Sequence, residues 1–165
     1  MRVEETTVYQ FDELNEKAKE HARDWYRQGA LDYDWWDYIY DDAETIGLTI
    51  TDFDLDRNRH ATGKLTKSIK EACQLIHANH GKACDTYQVA TEYLGTITHV
   101  DQAESNDEED HDDEREEVRE HFEQALLEEY SIMLQHEYEY LMSNESVDET
   151  IRCNEYEFTE AGKRF

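Results

Sequence analysis

The sequence predicts an α+β fold: a small antiparallel sheet of three or four strands packed with four or five helices, one of them long and acidic. Three observations predict it. Residues 48–56 alternate apolar and polar between segments whose apolar residues recur at helical spacing. β-Branched and aromatic residues gather near both ends, in 2–10 and 154–159, as they do in strands. Between Asp101 and Glu145 stand eighteen Asp and Glu against two bases, Arg115 and Arg119, a net of −16 out of −26 for the whole chain.

Taken in order, residues 2–10 (with Val3, Thr6, Thr7, Val8 and Tyr9) form the expected first strand. Asp12 then suits an N-cap for a helix through Leu14, Ala18, Ala22, Trp25 and Tyr26, stopped at Gly29. A second helix is expected over 34–46, ending at Gly47, with Trp35, Trp36, Tyr38, Ile39, Tyr40 and Ala43 as bulk and Asp32, Asp34, Asp37, Asp41, Asp42 and Glu44 as charge. In the alternating stretch, Leu48, Ile50, Phe53 and Leu55 face inward and Asp52, Asp54 and Asp56 outward. The change of phase near Asp52 predicts a bulge. Residues 58–63 read as a turn, with a strand following to Leu65. Thr66 or Ser68 caps a helix through Ile69, Ala72, Cys73 and Ile76, closed by Gly81, and another helix covers 86–100 with Gly95 as its weak spot.

The tract 104–117 is almost free of apolar residues. Beyond it, Val118, Phe122, Leu126, Met133 and Leu141 trace one face of a helix expected over 112–142, roughly 45 Å long at 1.5 Å per residue. Ser146 opens a short turn or helix through Val147 and Ile151. A last strand over 154–159 leads into a Glu160-Ala161-Gly162 turn. The expected sheet joins the first strand, the hairpin after Leu48 and this last strand, within a single domain spanning 1–165.

A chain of 165 residues with 11 Tyr, 3 Trp and 5 Phe can build a modest core. No apolar run is long enough for a membrane span, and three cysteines, an odd number, fit a reducing compartment; the expected location is the cytoplasm. A charge of −26 repels nucleic acid and anionic membrane and draws the protein towards basic surfaces. Between Arg57 and Lys82 the pattern inverts, with six bases and one acid, Glu71. Such a patch is expected to be met by acids of the same chain or of a homodimer partner.

Cys73, His77, His80 and Cys84 are all of zinc-ligand type, in a Cys-x3-His-x2-His-x3-Cys spacing that matches no common zinc-finger pattern; half-buried cysteine and helix-end histidines are the plainer reading. Asp52-x-Asp54-x-Asp56 opens like a calcium loop, but Arg57 stands where glycine is required. No phosphate loop, metalloprotease motif or nucleophile–base pair stands out, so neither catalysis nor a cofactor is expected.

What remains is the charge pattern. Phosphates on duplex DNA recur every ~3.4 Å per strand, and carboxylates at i and i+4 on a helix lie about 6 Å apart. Asp112, Asp113, Glu116, Glu117, Glu120, Glu123, Glu128 and Glu129 can thus set a phosphate-like array on a rigid rod. Asp34, Asp37 and Asp41 on the second helix and Asp52, Asp54 and Asp56 on the hairpin would extend it.

Several blocks resemble a family of small acidic phage and prophage proteins commonly labelled antitoxins of toxin–antitoxin stability systems. They are Phe11-Asp-Glu-Leu14, Ala18-Lys-Glu-His-Ala-Arg-Asp-Trp-Tyr-Arg27, Trp35-Trp-Asp-Tyr-Ile-Tyr40, Ile46-Gly-Leu-Thr-Ile-Thr-Asp-Phe-Asp-Leu-Asp-Arg57 and the closing Tyr156-Glu-Phe-Thr-Glu-Ala-Gly-Lys-Arg-Phe165. The resemblance implies a phage accessory protein acting in the host cytoplasm and brings no catalytic residue with it. The expected function is a non-enzymatic inhibitor of host defence, anti-CRISPR or anti-restriction, mimicking DNA on the basic surface of a surveillance complex or restriction enzyme. An antitoxin against a basic ribonuclease toxin is the alternative, and a small metal-binding enzyme built on the Cys/His quartet is a further one.

Overall fold

The structure, a computed structural model, describes residues 5–102 and 108–165. The start of the expected first strand (residues 2–4) and residues 104–107 of the acid tract lie outside the described residues. The fold is α+β, with six α-helices and two antiparallel pairs of short strands among the described residues. The chain divides into two compact units, one made of Met1–Trp35 with His136–Phe165, the other of Trp36–Gln135.

In the first unit, strand β1 (Tyr9–Gln10) pairs antiparallel with β4 (Glu157–Phe158), Tyr9 opposite Phe158 and Gln10 opposite Glu157. A 3-10 turn, Phe11–Glu13, follows β1, and the Gln10 amide donates to Glu13 Oε2 at 2.7 Å. Helix α1 (Glu16–Arg27) starts only after that turn, capped by Asn15, whose Oδ1 accepts from the Ala18 amide at 3.0 Å. Asp12 is therefore not the cap. Its carboxylate instead accepts from Arg152 Nε at 2.9 Å, on α6 (Asn144–Cys153). Helix α6 is itself capped by Ser143, three residues before the expected start at Ser146. Phe11, Leu14, Ala18, Ala22, Val147, Ile151 and Phe158 form the core, edged by Tyr9, Trp25, Tyr26 and Tyr156. Phe11 meets Phe158 edge-on with centroids 6.4 Å apart, and Trp25 meets Tyr156 at 5.2 Å, separations at which aromatic edges and faces attract.

In the second unit, helix α2 (Asp37–Thr45) leads into strand β2 (Leu48–Asp54), which pairs antiparallel with β3 (His60–Leu65). The register slips between Ile50 and Asp52, the bulge that the change of phase predicts, so Phe53 returns to the face of Leu48 and Ile50 and meets Trp36 at 5.5 Å. Gly63 belongs to β3 and not to a turn. A Cβ there would lie 2.4 Å from Thr49 O and 3.1 Å from Leu127 Cδ2, so the bare glycine is what lets the acidic helix approach the hairpin. Helix α3 (Ile69–Asn79) carries a capping box between Ser68 and Glu71 and lies against α4 (Asp85–Gln102).

Helix α5 (Glu108–Met142) supplies Phe122, Leu126, Leu127, Tyr130 and Leu134 to the buried interior, all at most 5% exposed. The four strands thus make two separate pairs, β1–β4 and β2–β3, where one joined sheet is expected from the sequence. With two residues each, β1 and β4 are short strand pieces beside the helical core of the first unit.

Candidate functional site

The acids of α5 do not share one role. Glu123 is mostly buried, and its Oε2 accepts the Leu65 amide at 2.7 Å, at the end of β3. One turn earlier, Arg119 donates to Leu65 O at 2.6 Å and to Lys67 O at 3.0 Å. The pair Arg119 and Glu123, four residues apart on one helix face, grips both the donor and the acceptor of Leu65. Glu128 is ion-paired with Arg59, whose Nε donates to Ser131 Oγ at 3.1 Å. Glu123 and Glu128 are thereby spent on the fold, although the sequence places them in the outward row.

Further towards the N-terminal end of α5 the pattern changes. Asp112, Asp113, Glu116, Glu117 and Glu120 are all exposed. Arg115 turns to Asp101 (3.0 Å) and Asp112 (3.2 Å), and Lys70 also reaches Asp101. Hydrogen bonds from Lys70 and then Arg115 hold the Asp101 carboxyl below the usual carboxylate range. Asp113, Glu116, Glu117 and Glu120 make no ion pair among the described residues. The basic segment supplies counter-charges elsewhere: Arg59 to Glu128, Lys64 to Glu123 at 3.4 Å, and Lys70 to Asp101. Half of its six bases are therefore met within the chain, and a bare carboxylate row remains on α5.

Asp37, Asp41, Asp52, Asp54 and Asp56 are exposed in the second unit, and Asp34 is exposed in the first. Asp54 Oδ1 accepts the Asp56 amide at 2.8 Å, an Asx turn that folds the hairpin end without consuming its charge. Asp42 differs from its neighbours. It accepts the Tyr130 hydroxyl at 2.7 Å and lies 3.5 Å from His80 Nε2, while His80 Nδ1 is 2.7 Å from Thr86 Oγ1. Burial, and then the Asp42 carboxylate, push the Tyr130 phenol well above its usual range, so it stays a donor. Thr86, His80 and Asp42 have the order of a nucleophile–base–acid chain, but Thr86 is 0% exposed and no substrate can reach it. The cluster ties α2, α4 and α5 together.

The Cys/His quartet is not gathered. Cys73 is buried, and burial pushes its thiol up to about 11. His77 stacks on Tyr87 at 4.4 Å, His80 faces Thr86 and Asp42, and Cys84 is exposed. Among the described residues, no three His, Cys, Asp or Glu side chains are placed to hold a metal ion. No helix described is long and apolar enough to cross a membrane.

The Glu129 carboxyl on α5 is raised above its usual range, first by burial and then by Asp85 and Glu128. A carboxyl raised in the folded state binds more protons there than in the unfolded chain, so this group adds stability as pH falls through the window just above the ordinary glutamate range. Glu129→Gln is expected to stabilise the protein by about 0.5 kcal/mol at around pH 7 and to have no effect near pH 3, where both states are protonated. Urea midpoints at the two pH values check it.

No family model matches the chain, and neither a curated protein nor a solved structure resembles it closely enough to count as a relative.

Proposed function

We propose that this protein is a non-enzymatic inhibitor of a host defence complex, either a CRISPR surveillance complex or a restriction enzyme, and acts by occupying the basic surface that grips nucleic acid. The observation that carries this reading is the run of exposed acids on α5, Asp112, Asp113, Glu116, Glu117 and Glu120, whose two interspersed bases are turned elsewhere, Arg115 to Asp101 and Asp112 and Arg119 to the carbonyls of Leu65 and Lys67. A helix that only needed solubility would interleave lysines for i,i+4 pairs. A single-signed row on a helix anchored by Phe122 and Leu126 instead offers fixed charges to the lysines and arginines that would meet phosphates. A protein helix also offers a nuclease no phosphodiester to cut. The expected location for this action is the host cytoplasm, and the resemblance to phage accessory proteins points the same way.

The test is charge reversal of Asp113, Glu116, Glu117 and Glu120 to lysine. These side chains are exposed, so the fold should persist by circular dichroism. Affinity for the target recovered from host lysate should fall at least about a hundredfold, and wild-type association should slow steeply with added salt. Retention of the target by the reversed variant would show that α5 is not the contact. Recovery of one small basic toxin in place of a defence complex would establish the antitoxin alternative.

A further inference from the structure

Between Arg27 and Arg57 the chain holds no lysine or arginine, yet it holds nine acids: Asp32, Asp34, Asp37, Asp41, Asp42, Glu44, Asp52, Asp54 and Asp56. Helix α2 arranges part of that field. At about 100° per residue, Asp37, Asp41 and Glu44 fall on one stripe, while Ile39 and Ala43 point to the opposite, buried side. Trp36 and Tyr40 lie along one flank of the stripe and Tyr38 along the other. Tyr38 is 55% exposed, and Trp36 and Tyr40 are half-buried. Phe53 of β2 backs the first flank, 5.5 Å from Trp36 and 6.3 Å from Tyr40. Asp52 is close enough for its charge to help keep the Tyr40 phenol protonated, after burial. Asp37, Asp41 and Glu44 make no ion pair among the described residues, and no metal-holding cluster forms here.

We propose that this face of α2 docks arginine side chains of a basic protein partner. The inference rests on the reading above only in taking the partner to be basic. A carboxylate stripe by itself favours arginine over lysine only through the two-pronged bond that a guanidinium makes to a carboxylate. Half-exposed rings beside the carboxylates widen that preference, because a guanidinium can lie flat on a ring while forking two N–H bonds to a carboxylate, and it is more weakly hydrated than an ammonium. The stripe sits on a helix fixed by Ile39 and Ala43 and by the Tyr130 bond to Asp42, so the rings and acids are held ready. Over 112–120, α5 itself carries no aromatic residue: Arg115, Val118 and Arg119 stand between its acids.

The experiment uses the full chain, isotopically labelled, titrated with capped tetra-arginine and capped tetra-lysine peptides while amide and indole resonances are followed. At the amides of α2 and the Trp36 indole, tetra-arginine should bind roughly fivefold more tightly than tetra-lysine. At the amides of 112–120 the preference for tetra-arginine should be smaller, no more than about twofold. Tyr38→Ala should lower the preference at α2, and Asp41→Asn should weaken both peptides there, with chemical shifts in the core unchanged. Equal affinities at α2, the same preference at both helices, or a preference untouched by both substitutions would overturn the proposal. Loss of mimicry at α5 would leave these outcomes readable, because the peptides report α2 directly.

Discussion

Asp148→Ala is expected to destabilise the first unit by about 3–5 kcal/mol, the cost of leaving a buried charge without its partner. Arg23 on α1 is 9% exposed, and its Nε and Nη2 reach the two carboxylate oxygens of Asp148 on α6 at 2.7 and 2.8 Å. This is a parallel fork that ammonium groups cannot make. The hydrogen bonds to Asp148, more than those to Glu20, hold the guanidinium firmly protonated, so it cannot escape burial by losing its charge. Removing the carboxylate leaves only Glu20, at 3.0 Å and half-exposed, to meet it. Asp148→Asn keeps one acceptor and should cost less, while the double substitution Arg23→Met with Asp148→Leu should recover most of the loss, because it buries no charge at all. Chemical denaturation measures the magnitude, and hydrogen exchange of α1 and α6 amides locates it. A loss under about 1 kcal/mol would mean that water reaches the pair and that it ranks with surface bridges.

How far the fold was legible depends on how local each signal is. The bulge at Ile50 and Asp52 was readable because a period-2 pattern changes phase within a few residues. The sequence left the cap of α3 open between Thr66 and Ser68, and the structure decides for Ser68, whose capping-box partner Glu71 stands three residues on. Asp12 misled because what diverts it is Arg152, 140 residues away, and no local pattern announces that pair. The joined sheet failed for the same reason. Both ends of the chain have strand composition, but only tertiary pairing decides that Tyr9 meets Phe158 and that neither reaches the hairpin. Among the site residues, Asp113, Glu116, Glu117 and Glu120 were legible as a bare row, since exposure follows from the absence of apolar neighbours on their face. Glu123 was not, because it takes a backbone amide of β3 as its partner. One clue was present: Glu123 lies four residues after Arg119 and one after the buried Phe122, at the rim of the apolar face. The aromatic flanks of α2 were written in the sequence as bulk for a core. That Tyr38 points outward follows only from where Ile39 and Ala43 are buried.

Gly162→Ala is expected to cost about 2–5 kcal/mol, through backbone strain and overlap together. Gly162 has φ +79, in the left-handed region, and a Cβ there would lie 1.9 Å from Ala18 O and 2.7 Å from Ala18 C. The obstacle is backbone of α1, so no side-chain rotation relieves it, and the turn has to lift away. That turn is held by the Gly162 amide donating to Thr159 O at 2.8 Å and by His21 Nδ1 lying 2.9 Å from Ala161 O. Lifting it also frees Phe158, which is 0% exposed and paired with Tyr9, so the damage spreads from a surface turn into the aromatic core. Gly95→Ala supplies the contrast. It lies within α4 with nothing within 4 Å of the added carbon, and the substitution should stabilise by about 1 kcal/mol through helix propensity alone. Thermal or urea unfolding of the two variants should therefore move in opposite directions. A Gly162→Ala protein as stable as the parent would mean that the turn after Phe158 does not rest on α1.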